Sequence, residues 1–324
     1  MLSLVRAEVA DVILAHAAPS IQADLVRLLA RPGYALHPQG RCRAGVLALE
    51  VYGAIRRRYD RAAFVAAAAV ELQMESAYVF DDVSDRRPDR SRADGSQADG
   101  SQAEDLALAI ALLTAGTAAA ADATSHSPDP SGAMRHFCVT TGGACAGQFL
   151  DAKLERRGGA TLEESLQMTH LKSGSLGTFA AGFAARVAGA EANDLELFER
   201  VGFNIFTFAQ LIDDQRDACL PGPLSDLAQA KATLPVVFFS QRNQIDSPAS
   251  AGGTIPREVS DAYDSSGASA YAAIIALAYL GRAQADLRRL SDRGCAIGGL
   301  GCFLEGVESG ASRALDTVGC GVVA

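Results

Sequence analysis

Apolar residues recur three and four positions apart along almost the whole chain, and the strict apolar/polar alternation of a half-buried strand is nearly absent. That periodicity predicts an all-helical fold. Alanine dominates and tryptophan is missing, so the helix backbones can approach one another closely. The spacing predicts helices over about residues 3–30, 42–58, 61–86, 103–122, 131–157, 161–190, 193–218, 224–243, 267–291 and 296–315. Thr161 with Glu164 three residues on is a capping-box signature for one of these starts. Ala93–Gln102 reads ADGSQ twice, a composition that cannot bury a core face and predicts a mobile loop. Two further turn-rich stretches, Ser125–Gly132 and Asp246–Pro256, separate helical runs of the same composition. With 324 residues, 49% of them hydrophobic, the chain is expected to form a single domain over residues 1–324.

The charge pattern excludes several classes of function. The net charge is −9, and no basic block is free of interleaved acids, so affinity resting on nucleic-acid phosphates is not expected. Seven dispersed cysteines with no C-x-x-C pair argue against a disulfide framework or a zinc ribbon and point to a reducing cytoplasm. Arg6, Glu8 and Asp11 interrupt the first apolar stretch, which is unlike a signal peptide. The uncharged run Leu106–Ala121 is 16 residues long, short of the ~20 needed to cross a bilayer, so no transmembrane segment is expected.

Two acidic clusters carry the chemistry. Asp81, Asp82 and Asp85 lie in YVFDDVSDRR, and Asp213, Asp214 and Asp217 in QLIDDQRD. On a helix, positions i, i+1 and i+4 lie near one another, so each cluster gathers mutually repelling carboxylates. Oxygen-rich sites of this kind suit a hard divalent ion such as Mg²⁺, which binds through a few carboxylates together with substrate phosphates. Each cluster follows an apolar run, Ala77–Phe80 and Phe206–Ile212. Only three residues are lysine, and two of them, Lys172 in HLKSGSLG and Lys231 in QAKATLPVV, sit in distinctive contexts. A flexible ammonium is a good point-charge partner for phosphate oxygens.

The ordered set GRCR (Gly40–Arg43), DDVSD (Asp81–Asp85), GQFLD (Gly147–Asp151), KSG (Lys172–Gly174), QLIDDQRD (Gln210–Asp217) and KATLP (Lys231–Pro235) resembles the trans-isoprenyl diphosphate synthases, the polyprenyl synthetase family. The resemblance implies an isoprenoid synthase helical bundle around a deep central cavity and, as partners, an allylic prenyl diphosphate and a second copy of the chain in a homodimer. It implies three Mg²⁺ ions between the two clusters and ionisation of the allylic diphosphate to a carbocation. Asp81, Asp82, Asp85, Asp213, Asp214 and Asp217 then become metal ligands. Arg41, Arg43, Arg90, Gln148, Lys172, Gln210 and Lys231 become substrate-binding residues. Ser76, Ala77, Tyr78 and Phe80, just before the first cluster, become determinants of cavity depth; the small Ser76 and Ala77 suit a C15 or C20 chain. Phe179, Phe183, Phe203, Phe206 and Phe208 are candidates for its wall, where ring faces stabilise cations.

Departures from the family pattern fall on one side. By register, Gly40 replaces a lysine, Met74 a histidine and Ser91 an arginine that hold isopentenyl diphosphate in elongating members, leaving Arg41, with Arg43 as a possible substitute cation. The segment after Asp217 also lacks a further expected lysine. The residues for the allylic diphosphate match. The expected activity is therefore Mg²⁺-dependent ionisation followed by cyclisation or deprotonation, as in terpene synthases. The alternatives are elongation with isopentenyl diphosphate and prenyl transfer to an unusual acceptor. A purely binding or regulatory protein is disfavoured by the six intact aspartates, a di-metal oxidase by the absence of Glu-x-x-His pairs, and a triad hydrolase by the absence of a G-x-S-x-G elbow.

Overall fold

The computed structural model describes residues 1–84, 102–125, 127–220, 225–243 and 257–316. Every regular element among them is helical, and they divide into two compact units. The first comprises Met1–Val139, Phe179–Glu199 and Leu290–Leu300, the second Thr140–Thr178, Arg200–Arg289 and Gly301–Ala324. Most of the repeat at 93–102 and all of the stretch at 246–256 lie outside the described residues, as do Asp85, Arg90 and Ser91; Gln102 opens a helix.

In the first unit, α1 (Leu2–His16), α3 (Arg43–Arg56) and α5 (Gln102–Thr124) pack around α4 (Arg61–Ser84), while α2 (Gln22–Leu29) packs on α1 and α5. The reason is local: Ala66–Ala69 of α4 are all buried, and a wall of methyl groups lets neighbouring backbones come close. At Gly45 of α3 an added Cβ would lie 2.8 Å from Val5 Cγ1 and 2.9 Å from the Ala67 carbonyl oxygen. The single helix expected over residues 3–30 is broken. Ala17 turns extended (φ −85°, ψ 150°) two residues before Pro19, whose ring bars the residue ahead of it from helical geometry. Helices α4 and α5 are each long and apolar enough to cross a membrane; the α4 window is mostly buried within the protein, that of α5 less so. The uncharged run within α5 alone understated the length of that helix.

Helices α6 (Pro130–Arg157), α8 (Ser175–Ala188) and α9 (Ala192–Ala218) contribute residues to both units. In the first unit Phe179 and Phe183 of α8 pack on Phe137 of α6, with ring centroids 4.8 and 5.0 Å from it. All three rings are fully buried, so they serve this cluster. In the second unit α7 (Leu162–Thr169) begins at the expected capping box, with Thr161 and Glu164 bonding reciprocally. A single π-helical turn, His170–Gly174, lies between α7 and α8, and the helix expected over 161–190 runs through it without a break from Leu162 to Ala188. Such bulges concentrate at functional sites. The remaining helices are α10 (Leu234–Asn243), α11 (Arg257–Ser265), α12 (Ala268–Asp292) and α13 (Gly298–Asp316); the last residues of α12 and the first of α13 belong to the first unit. Helix α11 was not legible in the sequence; its one buried residue, Tyr263, meets Phe239 of α10 edge-on at 5.5 Å.

The close approach at Gly45 sets a test against an open helical glycine. Gly45→Ala is expected to destabilise the protein by about 1–3 kcal/mol through overpacking. Gly281→Ala, on the exposed face of α12 with nothing within 4 Å of the new methyl, should instead stabilise it by about 0.5–1 kcal/mol through helix propensity. Denaturant unfolding of the two variants measures both, and equal effects would contradict the packing argument.

Candidate active site

The first aspartate cluster ends α4. Asp81 and Asp82 are half-buried, and the Tyr34 hydroxyl donates to Asp82 Oδ2 at 2.6 Å. Tyr34 belongs to the segment before α3, which carries Gly40 and Arg41 and leads into Arg43, the first residue of α3. Arg6 binds this segment from α1, donating to the carbonyls of Ala35 (3.0 Å), Pro38 (3.1 Å) and Gly40. Arg41 is exposed and Arg43 half-buried. Beneath them α4 buries two carboxyls, Glu71 and Glu75, which hydrogen-bond to each other. Glu71 accepts from the Gly45 N–H at 2.6 Å, and Glu75 from that of Ala35. Burial pushes both carboxyls above the ordinary carboxylate range, and the facing Glu71 adds to the rise at Glu75.

Two departures that the sequence identified are built into this packing. A Cβ at Gly40 would run into the Tyr34 carbonyl oxygen and lie 2.9 Å from that of Ala35, so this backbone has no room for a lysine. Met74 is 2% exposed and belongs to the core. Ser76, also buried, donates its hydroxyl to the Ala109 carbonyl of α5 at 2.8 Å and so ties the two helices together. Ala77 and Phe80 are half-buried and Tyr78 is 41% exposed.

The second unit gathers the remaining candidates. At Gly147 of α6 any Cβ would strike the backbone of Leu171 and Lys172, so α6 lies directly against the π-helical turn. One helical turn on, Asp151 accepts from Lys172 Nζ at 2.8 Å. One turn further, Glu155 pairs with Lys231 Nζ at 2.9 Å. Thus α6 supplies a carboxylate to each of the two lysines, while Gln148 lies half-buried beside Gly147. Lys231 follows Ala230, held in the left-handed region (φ 51°), a strained geometry of the kind stored at functional sites.

Helix α9 presents the second cluster. Ser173 Oγ donates to Gln210 Oε1 at 2.7 Å, and Gln210 Nε2 donates to Asp214 Oδ1 at 2.7 Å. Asp214 is buried, and burial together with the nearby Asp226 carboxylate raises its carboxyl well above the usual range, Gln210 and Lys172 opposing. Asp213 and Asp217 point elsewhere and share Arg216: its Nη1 meets Asp213 Oδ1 at 3.1 Å, its Nη2 and Nε meet Asp217 Oδ1 at 2.7 and 2.9 Å. Phe203 packs on His170, which hydrogen-bonds Tyr279 at 2.6 Å. Phe206 and Phe208 of α9 are buried.

The carboxylate donors suit a hard cation such as Mg²⁺. Asp81 and Asp82 fit that role directly. Among the described residues no three His, Cys, Asp or Glu side chains converge as a ready metal site, and in the second cluster Arg216 occupies one oxygen each of Asp213 and Asp217. Sequence reasoning missed Tyr34, Glu71, Glu75, Glu155, Arg216 and Asp226. A signal existed for two of these: Glu71 and Glu75 are an i, i+4 acid pair inside an otherwise apolar helix.

The polyprenyl synthetase family pattern matches residues 27–259, and the chain belongs to that family. A decaprenyl-diphosphate synthase of Dictyostelium discoideum is 33% identical over 101 residues, 29% of this chain and 22% of that protein. A geranylfarnesyl diphosphate synthase of Natronomonas pharaonis is 30% identical over 118 residues, 35% of this chain and 34% of that protein. The aligned stretches therefore span well under half of these relatives. The structure of a geranylgeranyl pyrophosphate synthetase from the archaeon Geoglobus acetivorans superposes with a TM-score of 0.76 at 20% identity, over 95% of this chain and 97% of that one. This likeness establishes the isoprenyl synthase helical fold. The names of these proteins favour the elongating alternative over the cyclising one placed first on sequence grounds.

The buried acid pair makes stability depend on pH. A carboxyl harder to ionise in the folded protein binds more protons there than in the unfolded chain above its ordinary value of 4.5, so its stabilising contribution is present at low pH and lost as pH rises. Glu75→Gln removes one such titration. The Tm difference, variant minus wild type, should therefore rise between about pH 5 and pH 8. A difference independent of pH would contradict a buried, protonated pair.

Proposed function

We propose that this chain is a Mg²⁺-dependent prenyltransferase that lengthens an allylic prenyl diphosphate, of the C15 or C20 class, with isopentenyl diphosphate. The allylic C–O bond breaks, inorganic diphosphate leaves, a C–C bond forms to the isopentenyl double bond, and one proton is lost from the adduct. The observation that carries the reading is the pairing of Lys172 and Lys231 with Asp151 and Glu155 on α6, beside the aspartates of α9. Both ammoniums are held in place by carboxylates that an entering diphosphate can replace. When bound, Mg²⁺ neutralises charge on the departing diphosphate; Asp81 and Asp82, with Asp85 of the same motif, are one candidate ligand set, and Asp213, Asp214 and Asp217 are another. The curated relatives, both chain-length synthases by name, support elongation.

Gly40 and Met74 support a second reading, in which the allylic diphosphate is ionised alone and the cation is cyclised or deprotonated. Elongation requires a second anionic group to be held, and the loss of donors at these positions costs about 1.5–3 kcal/mol for each hydrogen bond to a charged group. Homodimerisation belongs to the proposal through the family resemblance. A reducing, cytoplasmic setting is supported by the dispersed cysteines, the six described ones lying outside any disulfide.

Incubation with Mg²⁺ and C10, C15 or C20 allylic diphosphates, with and without isopentenyl diphosphate, separates the readings. Longer linear diphosphates formed only when isopentenyl diphosphate is supplied are expected. Diphosphate release with a hydrocarbon or terpene alcohol in its absence would establish the second reading instead. Asp81→Asn and Asp213→Asn should each lower turnover by about 100-fold or more, and activity in EDTA would sink both readings. Lys172→Ala and Lys231→Ala should weaken inorganic diphosphate binding in calorimetric titrations, whereas Lys153→Ala, on the exposed side of α6, should have little effect.

A further inference from the structure

The second aspartate cluster already contains a cation of its own. Three N–H groups of Arg216 are committed to Oδ1 of Asp213 and Oδ1 of Asp217, so the guanidinium joins two carboxylates that a divalent ion would have to share. Asp226 adds a third negative charge close by; its backbone N–H donates to the Asp217 carbonyl at 3.1 Å. On the same turn Asp214 keeps Oδ2 buried with no hydrogen-bond partner, an acceptor that the present arrangement does not use. The side chains of Arg216 and Asp213 are each 34% exposed and that of Asp217 26% exposed, so solvent and ions can reach the pair.

We propose that Arg216 is an internal counter-ion of the second aspartate cluster, and that this cluster takes up a divalent cation only in exchange for the guanidinium. A cation entering between Asp213 and Asp217 meets a like charge in its place, and the two cannot share the same oxygens. Metal binding at α9 is therefore weak until Arg216 swings outward, and arrival of a diphosphate, itself an acceptor for a guanidinium, favours that exchange. The regulation rests on the proposed prenyl diphosphate chemistry for its biological meaning, but the exchange is a property of the metal-free and metal-loaded protein alone.

The test uses the full chain without substrate. Mn²⁺ serves as the probe, followed by electron paramagnetic resonance of the free ion, alongside thermal unfolding in EDTA and in Mg²⁺. Arg216→Gln should lower Tm in EDTA, because Asp213, Asp217 and Asp226 lose their common partner. It should also bind Mn²⁺ at one site about tenfold or more tightly than the wild type, and its Tm should rise more on adding Mg²⁺. Arg216→Lys, which keeps the charge but not the bridging geometry, should fall between the two and serves if the glutamine variant does not fold. Unchanged Mn²⁺ affinity with an unchanged Mg²⁺ response in the Lys variant, or in a folded Gln variant, would overturn the proposal. Absence of prenyl diphosphate turnover, with the Mn²⁺ difference intact, would instead count against the enzymatic reading and leave the exchange standing.

Discussion

Placement of charge on α6 is the constraint on which the second unit depends. Gly147 lets the helix touch the backbone of the π-helical turn, and that contact brings Asp151 within reach of Lys172. Glu155, one turn along, meets Lys231. Two ammoniums cannot be left in a partly buried region without compensation, since an isolated buried charge would neutralise or reorient. Pairing each with a carboxylate keeps it charged and aimed. The same logic extends along α9: Gln210 links Ser173 to Asp214, while Arg216 balances Asp213 and Asp217. The two lysines and the Asp213–Asp217 pair thus each have a charged partner within the protein.

The first unit solves a different problem, which is to bring a polar segment against an apolar helix bundle. Helix α4 is lined with alanines, yet buries Glu71 and Glu75 among them. Their carboxyls accept backbone N–H groups from Gly45 and Ala35, donors at a helix start and in an irregular segment that would otherwise be orphaned. Arg6 satisfies carbonyls of the same segment from the other side. The segment carrying Gly40 and Arg41 is thus held by hydrogen bonds rather than by apolar contacts. Its tight course explains why Gly40 stands where a lysine belongs in the elongating pattern: the carbonyls of Tyr34 and Ala35 fill the space a side chain needs.

Reading the chain without its structure recovered most helices, because alternation at three and four residues survives wherever one face is buried. It failed in places: the helix begun at residue 2 ended ahead of Pro19, and α11 was too short and polar to register, with Tyr263 alone buried. The aspartates, lysines and Gln210 were legible because motifs preserve both residue type and spacing. Their partners were not, because Glu155, Arg216 and Asp226 meet them only through folding or through side-chain choices that spacing leaves open. Asp85 and Arg90 lie outside the described residues.

What the sequence by itself determined is the helical class, the family and the two carboxylate clusters, since each depends on periodicity or on residues adjacent in the chain. Tertiary structure alone decided how those charges are balanced and which departures are structural. Lys172 finds Asp151 across 21 residues, and Tyr34 reaches Asp82 across 48; no local pattern encodes such pairs. The physical reason is that helix periodicity reports only which face is buried, whereas ion pairing and steric fit depend on distances between elements, set by the close approach that glycine and alanine permit.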